Sequence, residues 1–173
     1  QDVTRRQQYE SRLREQNVRD ALTKCYNRRY LELFSNRAAR EQRWGCVVVD
    51  VDHFKQINDQ HGHHRGDEIL REIAALLQRN SRAGDAVVRL GGDEFAVILT
   101  QASEESAREI TACLSAASAT GPASFSLGWS IREDDEPLDS TLRRADKARL
   151  RALMEQRGLH AQDDRLPPRD RAH

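Results

Sequence analysis

The apolar run at residues 46–52 constrains the fold more than any other feature of the sequence. It reads Cys-Val-Val-Val-Asp-Val-Asp. A continuous β-branched run predicts a strand that is covered on both faces, because a strand with one face in water alternates apolar and polar residues. The run ends with Asp50 and Asp52. We therefore expect a central strand that carries carboxylates to one edge of a sheet.

Helices and further strands are predicted around this central strand. Apolar spacing and capping residues predict helices at 1–20, 28–43, 66–79, 103–117 and 138–156, and strands at 87–90, 95–99 and 125–131. The middle of this order, β-α-β-β-α-β, is the ferredoxin-like arrangement. We predict an α/β (α+β) fold with a mixed central sheet flanked by helices.

Segments at both ends are predicted to lie outside this core. Residues 1–19 are polar and free of Gly and Pro, which predicts a stalk helix. The end of a coiled coil and a solvated, frayed tail are both compatible with its few apolar positions. Residues 20–158 would form the folded domain. Residues 159–173 contain a Pro-Pro pair and many charges, which predicts a disordered tail.

Composition excludes some classes of partner. Lys plus Arg and Asp plus Glu both number 28, so the formal net charge is zero and nothing favours binding to a nucleic acid polymer. No apolar stretch approaches membrane-spanning length, so we expect no membrane contact in this fragment. Three cysteines without metal-site spacing predict free thiols in a reducing compartment, and we expect the cytoplasm.

A second group of acids lies in a predicted hairpin turn. Residues 91–94 read Gly-Gly-Asp-Glu. If the hairpin neighbours the central strand, Asp93 and Glu94 converge with Asp50. Mg²⁺ typically binds one or two carboxylates together with substrate phosphates. Each acid alone could equally be a solvated turn residue, but the Gly-Gly pair, which lets backbone approach a ligand closely, favours a binding site.

The chain resembles the GGDEF family of diguanylate cyclases through motifs that occur in the family's order. Residues 89–95 read Arg-Leu-Gly-Gly-Asp-Glu-Phe and match its signature. Residues 50–59 resemble its D-D-FK-IND block. Further matching segments are residues 20–23, 27–29, 62–63, 66–67, 126–128 and 145–146. Their compatible spacing identifies residues 20–158 as a member of the family.

The resemblance implies a metal site and a catalytic role for the acids. Asp50, Asp93 and Glu94, with the backbone carbonyl of Val51, would hold Mg²⁺ or Mn²⁺. Asp93 and Glu94 would also act in catalysis, Glu94 as a group that helps to deprotonate the attacking hydroxyl. Lys55 would place a positive charge near the phosphates.

The resemblance also implies a nucleotide site. Asn58 and Asp67 would read the guanine edge, since a carboxylate accepts from guanine N–H groups and an amide both donates and accepts. The backbone N–H groups of His53 and Phe54 would bind phosphate oxygens. Arg157 would contact the phosphates as well. Gly91 and Gly92 would allow close approach of the substrate.

The activity implied is the condensation of two GTP molecules into cyclic di-GMP and pyrophosphate by a homodimer with one GTP per domain. Asp67 favours guanine over adenine. A regulatory protein that grips the N-terminal helix is a further expected partner. Arg82 and Asp85 lie at the offset of the family's RxxD inhibitory site for the product, although the loop also needs a turn, which Gly84 and Asp85 could supply unaided.

A second interpretation belongs to another class. Leu150 and Leu153 stand where the family has Tyr and a phosphate-binding Lys. These changes favour a degenerate GGDEF module that binds GTP or cyclic di-GMP and signals through a protein partner. Arg149 or Arg151 could compensate for the missing lysine, but helical spacing places neither at position 153.

Overall fold

The central strand predicted from the apolar run lies inside a four-stranded sheet. A computed structural model describes residues 2–38 and 43–163. Its strands are β1 (Gly45–Val51), β2 (Ala86–Gly91), β3 (Glu94–Leu99) and β4 (Phe125–Ile131), and their order in the sheet is β2-β3-β1-β4. This order, with helices between the strands, confirms the ferredoxin-like core.

The strand pairings are antiparallel along all the named strands: β1 with β3, β1 with β4, and β2 with β3. The parallel component expected of a mixed sheet is confined to an isolated bridge between Tyr26 and Val88. The hairpin that joins β2 to β3 therefore neighbours the central strand through β3. This meets the condition under which the acidic groups are expected to converge.

Six helices lie within the described residues. They are α1 (Asp2–Asn17), α2 (Arg28–Ala38), α3 (Phe54–His61), α4 (His63–Arg79), α5 (Glu104–Thr120) and α6 (Leu138–Asp163). α4 begins at His63, earlier than predicted, because a single residue, Gly62, is enough to separate it from α3. The predicted end of α2 at Arg43 is wrong, since Arg43 is not helical; residues 39–42 lie outside the described residues.

The last helix continues further than the sequence suggested. α6 runs through Gly158 to Asp163, so the predicted end at residue 156 is wrong and residues 159–163 of the expected tail are helical. A glycine in a helix interior costs only about 1 kcal/mol relative to alanine, which does not end a helix between good helix formers. Residues 164–173 lie outside the described residues.

Helices cover both faces of the sheet. Val47, Val49 and Val51 pack into a core with α4 and α5, and the side chains of Phe54 and Ile57 from α3 pack against it. Cys46 and Val48 pack on the opposite face with α2 and α6. Because β1 is buried on both sides, the polar end of the strand is the point at which it can present groups to a ligand.

The three cysteines differ in their surroundings. Cys25 and Cys46 are buried and Cys113 is exposed, and all three are free thiols. Burial raises the pKa of the Cys46 thiol to about 12 and also raises the pKa of Cys25. None of the described helices combines the length and the apolar character that a membrane crossing needs.

Candidate active site

The acidic groups predicted to converge do so at the end of β1. Asp50 lies opposite Glu94 in the register of β1 and β3. The backbone N–H of Val51 donates to the carbonyl oxygen of Asp93 at 3.2 Å. The hairpin turn is thus tied to the central strand, and the carboxyl group of Asp93 lies close enough to that of Asp50 to raise its pKa.

The electrostatics of Asp50 reflect this crowding. Burial raises its pKa, and the neighbouring charge of Asp93 raises it further, to about 6, although the guanidinium of Arg149 acts in the opposite direction. Two neighbouring carboxylates repel each other, so that one of them takes up a proton or the pair binds a cation. The pair therefore has the donor chemistry of a divalent-cation site.

The oxygen atoms at the end of β1 suit a cation that binds only a few protein ligands and leaves its other coordination positions for substrate and water. Among the described residues, no group of three or more His, Cys, Asp or Glu side chains is arranged to hold a metal ion. Mg²⁺ usually binds through one or two carboxylates plus substrate phosphates and waters. Asp50, Asp93 and the carbonyl of Val51 fit that requirement, with the remaining positions left for a nucleotide.

The hairpin turn itself is held by a chain of ion pairs and hydrogen bonds. Gly91 and Gly92 have φ values of 152° and 48°, a region that glycine occupies without strain. Arg89 donates to the carbonyl oxygen of Gly92 through Nε at 3.0 Å and Nη2 at 2.8 Å. Its Nη1 contacts the Asp20 carboxylate at 3.2 Å. The turn is therefore fastened to the segment that follows α1.

Asp20 is itself fixed by the residues that follow it. Its Oδ2 atom accepts hydrogen bonds from the backbone N–H and the hydroxyl of Thr23, at 2.9 and 2.8 Å. These contacts link the motif at residues 20–23 to the hairpin motif at residues 89–95, because Thr23 fixes the carboxylate that pairs with Arg89. The first motif supplies the anchor for the second.

Asn58 and Gly66 form a second part of the site, between α3 and α4. The Oδ1 atom of Asn58 is buried and has no hydrogen-bond partner among the described residues. A Cβ atom on Gly66 would overlap that oxygen and approach the ring of Phe54. Asp67, the next residue of α4, is partly buried. A buried acceptor without a donor is costly, so its position favours a ligand that supplies an N–H group.

The start of α3 offers backbone donors beside the carboxylates. His53 precedes the helix with φ 55° and ψ 31°, and no side chain caps the helix. The first N–H groups of a helix have no partners within it and attract anions. The first turn contains no acidic residue, and the side chain of Lys55 is exposed there. The predicted phosphate contacts at His53, Phe54 and Lys55 thus lie directly after β1.

Arg149 is the cation that the structure brings to this site and that sequence reasoning set aside. It is buried, with 8% of its surface exposed. Its Nη1 lies 3.6 Å from Oδ2 of Asp50. The available signal was the charge at a core position of α6, because Arg149 follows Leu138, Leu142 and Ala145 at helical spacing.

Arg157 is not brought into contact with these groups. It lies two helical turns beyond Arg149, is exposed, and makes no hydrogen bond or ion pair within the described residues. Leu150 is 45% exposed, and Leu153 is partly buried. Within the part of the chain that the structure describes, these three residues of α6 therefore make no hydrogen bond or ion pair with Asp50 or Asp93.

Arg82 and Asp85 lie in the loop before β2, away from the carboxylates. The side chain of Asp85 is only 1% exposed, whereas that of Arg82 is 48% exposed. Asp85 accepts hydrogen bonds from the backbone N–H groups of Arg82 and Thr100, at 3.1 and 3.2 Å. The aspartate therefore holds the loop together, and the arginine is the member of the pair that a ligand can reach.

Comparison with known proteins places this geometry in a family. The family model described as "Diguanylate cyclase, GGDEF domain" matches residues 17–158. The chain belongs to the GGDEF domain family. Diguanylate cyclase DosC of Escherichia coli K12 is 48% identical over 90 residues, which are 49% of this chain and 20% of DosC. Diguanylate cyclase DgcP of Pseudomonas aeruginosa is 37% identical over 153 residues, 80% of this chain and 23% of DgcP.

Solved structures agree with the family assignment. Diguanylate cyclase SiaD of Pseudomonas aeruginosa, in complex with its activator SiaC, matches with a TM-score of 0.75 and 31% identity, over 89% of this chain and 66% of that one. The coiled coil and GGDEF domain of DgcB from Caulobacter crescentus, in complex with c-di-GMP, matches with a TM-score of 0.80 and 24% identity, over 89% and 90% of the two chains. The second likeness shows the fold alone. This GGDEF chain spans about a fifth of the length of the first curated relatives it matches.

Proposed function

We propose that this GGDEF domain condenses two molecules of GTP into cyclic di-GMP and pyrophosphate. The observation that carries the proposal is the convergence of Asp50 and Asp93 at the end of β1, where the N–H of Val51 donates to the carbonyl oxygen of Asp93, beside the uncapped start of α3. Such a pair binds a divalent cation and the adjacent N–H groups bind phosphate, which together are the requirements of phosphoryl transfer.

The metal would be held by Asp50, Asp93 and the carbonyl of Val51. Mg²⁺ or Mn²⁺ bound there would polarise the α-phosphate and neutralise developing charge. Glu94 lies opposite Asp50 in the sheet and is exposed. Its carboxylate would help to accept the proton of the attacking ribose 3′-hydroxyl as pyrophosphate leaves.

The guanine base would bind between α3 and α4. The unpartnered Oδ1 atom of Asn58 accepts from a guanine N–H group, and the carboxylate of Asp67 accepts from another. Adenine does not present that pair of donors, so the proposed preference for GTP follows from these two acceptors. The backbone N–H groups of His53 and Phe54, with the charge of Lys55, would hold the phosphates.

Catalysis would need two domains. Each domain binds one GTP, and the 3′-hydroxyl of one must meet the α-phosphate of the other, so a homodimer with facing sites is the proposed catalytic unit. α1 would promote the dimer: Val3 and Tyr9 are 69% and 65% exposed on it. A regulatory protein that binds this helix is a further proposed partner, and a neighbour, SiaD, was crystallised with an activator protein. The proposed compartment is the cytoplasm.

Product inhibition is proposed at the loop before β2. Arg82 is half-exposed and can contact a phosphate and a guanine of cyclic di-GMP. Asp85 is buried and would contribute mainly by holding Arg82 in position. Bound product that bridged two domains would keep their active sites apart, which inhibits without competing for GTP.

The experiment that tests the function is incubation of the domain with GTP and Mg²⁺, followed by chromatography of the products at several protein concentrations. Cyclic di-GMP and pyrophosphate are expected, at a rate per molecule that rises with protein concentration. Asp93→Ala should fold but form no product, because the substrate phosphates cannot replace the lost carboxylate ligand. Comparable product from a folded Asp93→Ala protein would show that the metal site is misplaced.

A second candidate function is a degenerate module that binds GTP or cyclic di-GMP without catalysis. The absence of a cation at Leu153 and of a ring at Leu150 favours it. The same incubation separates the two functions, because a binding module retains GTP unchanged while it still binds the nucleotide in equilibrium dialysis.

A further inference from the structure

Resting on the function proposed above, we propose that Arg149 is a built-in counter-cation of the active site: it holds Asp50 when no metal is bound, and it turns to the nucleotide phosphates when metal and GTP enter. Arg149 is thus a positioning residue that makes metal binding depend on the nucleotide.

The position of Arg149 is set by close packing of α6 on β4. A Cβ atom on Gly128 would lie 2.7 Å from the Cα atom of Arg149 and would also overlap backbone atoms of α6. Only a glycine at position 128 allows this approach. The backbone of Arg149 therefore lies directly against the strand that pairs with β1.

Two of the contacts of Arg149 are with a pair of residues that lie opposite each other in the sheet. Ser126 pairs with Asp50 in the register of β1 and β4. The Nη1 group of Arg149 donates to the hydroxyl of Ser126 at 3.1 Å and lies 3.6 Å from Oδ2 of Asp50. The hydroxyl of Ser126 in turn donates to the carbonyl oxygen of Asp50 at 3.4 Å. The guanidinium of Arg149 thus contacts both Ser126 and Asp50.

Arg149 pairs with the carboxylate of Asp146 as well as with that of Asp50, so it can separate from Asp50 and still be paired. Its Nε donates to Oδ1 of Asp146 at 2.9 Å, shorter than its distance to Asp50. The side chain of Asp146 is 47% exposed, whereas that of Asp50 is 25% exposed. The guanidinium can therefore remain paired with Asp146 at the edge of the site while it gives up Asp50.

The arrangement opposes a metal that arrives without a nucleotide. A guanidinium cannot lose its proton in a protein, so its charge stays beside Asp50. A divalent cation on Asp50 and Asp93 would meet that charge at short range in a partly buried site, where screening by water is weak. Phosphates bring negative charge that compensates both cations, so nucleotide and metal should each strengthen the binding of the other.

The position of Arg149 along α6 also supplies a charge that Leu153 does not. Residues four apart in a helix lie on the same face, so Arg149 lies one turn before Leu153 on that face. A guanidinium released from Asp50 would therefore offer the phosphates a positive charge from the same face of α6 as Leu153.

The test is the affinity for Mn²⁺ alone, measured by electron paramagnetic resonance, and then with 3′-deoxy-GTP, which lacks the attacking hydroxyl. The variants are Arg149→Leu, Arg149→Lys and, as a matched control, Arg151→Leu, which removes an exposed arginine two residues further along α6. Thermal melts establish that each variant is folded.

Arg149→Leu should bind Mn²⁺ alone about fivefold more tightly and 3′-deoxy-GTP about fivefold more weakly than the parent, which is a modest coupling between two sites. The affinities of Arg149→Lys should lie between those of Arg149→Leu and the parent. Lysine keeps the positive charge but lacks the planar guanidinium that contacts two carboxylates at once. Arg151→Leu should match the parent.

Unchanged affinity for Mn²⁺ alone in Arg149→Leu, or the same change in Arg151→Leu, overturns the proposal. If Arg149→Leu does not fold, Arg149→Lys decides, and affinities equal to the parent's overturn it. Other outcomes would contradict the proposed function itself. If the parent domain binds no Mn²⁺ in the presence of 3′-deoxy-GTP, or if Asp93→Ala binds Mn²⁺ as tightly as the parent, these carboxylates form no metal site. The proposed role of Arg149 would then be wrong as well.

Discussion

Gly66 leaves the space that the side chain of Asn58 occupies: a methyl group at position 66 would overlap the Oδ1 atom of Asn58. The two residues lie on α3 and α4, which are separated only by Gly62. The glycine therefore serves the geometry of its neighbour's side chain, and its own backbone conformation is that of an ordinary helix.

Gly66→Ala should weaken GTP binding while leaving the fold intact, because the methyl group must displace Asn58 from its position. We expect a loss of about tenfold, comparable with one lost hydrogen bond of about 1 kcal/mol plus the misplacement of its partner. Isothermal titration with 3′-deoxy-GTP measures it. Gly158→Ala is the matched control, since it lies in α6 with nothing within 4 Å and should stabilise the domain by about 0.5–1 kcal/mol without affecting GTP. Equal GTP affinity in both variants would contradict the prediction.

Arg82→Ala should raise the yield of product late in the reaction and leave the initial rate unchanged, because inhibition by bound product is relieved. Progress curves with and without added cyclic di-GMP measure the effect. Arg79→Ala, at the exposed end of α4, removes a similar charge and should behave as the parent. Identical curves for all three proteins would limit Arg82 to a role in the loop.

Asp85→Ala should instead lower the melting temperature, because it leaves the N–H of Thr100 without its acceptor.

Deletion of residues 1–16 should shift the rise of specific activity to higher protein concentrations, because α1 no longer promotes the dimer. The deletion spares Asn17, whose carbonyl oxygen accepts a hydrogen bond from Asn27. Fusion of an unrelated dimeric coiled coil should restore activity at low concentration by raising the local concentration of the second domain. A truncated protein with the parent's activity at every concentration would remove α1 from the mechanism.

Stability should fall in acid through Glu136. Its hydrogen bond from Arg144, together with those from the N–H of Glu133 and the hydroxyl of Thr141, lowers its pKa to about 2 from an ordinary 4.5. A depressed carboxyl pKa adds stability above the ordinary value, which is lost as the pH falls from about 4.5 toward 2. Glu136→Gln should therefore lower the melting temperature at pH 7, and the difference from the parent should shrink through that window. A difference that stayed constant between pH 7 and pH 2.5 would contradict this origin.

The features that could be predicted from the sequence are those encoded locally. The β-branched run at residues 46–52 specifies a strand buried on two faces, and the Gly-Gly turn specifies a hairpin. The meeting of Asp50 with Asp93 and Glu94 also needed β3 to pair with β1, which the sequence allowed only as a condition. The end of α6 could not be predicted in the same way. Gly158 resembles a stop signal, but an exposed helical glycine costs too little to end the helix.

The roles that escaped prediction depend on contacts between distant segments. Arg149 reaches Asp50 only because Gly128 lets α6 lie against β4. The residues around position 149 mark it as a core position of the helix, but they do not show which residue it contacts. The sequence allowed Asp85 two roles, one in binding the product and one in the turn of the loop. The burial of Asp85 against Thr100, fifteen residues further along the chain, shows that it supports the loop.

The distribution of the cysteines has a practical consequence for spectroscopy. Burial keeps Cys25 and Cys46 protonated and covered, whereas Cys113 is exposed on α5. Since the thiolate is the reactive form, a maleimide dye or a nitroxide added to the folded protein should attach at this one position. The natural sequence thus provides a single labelling site, and distances between labels on two copies can report their association without any engineered cysteine.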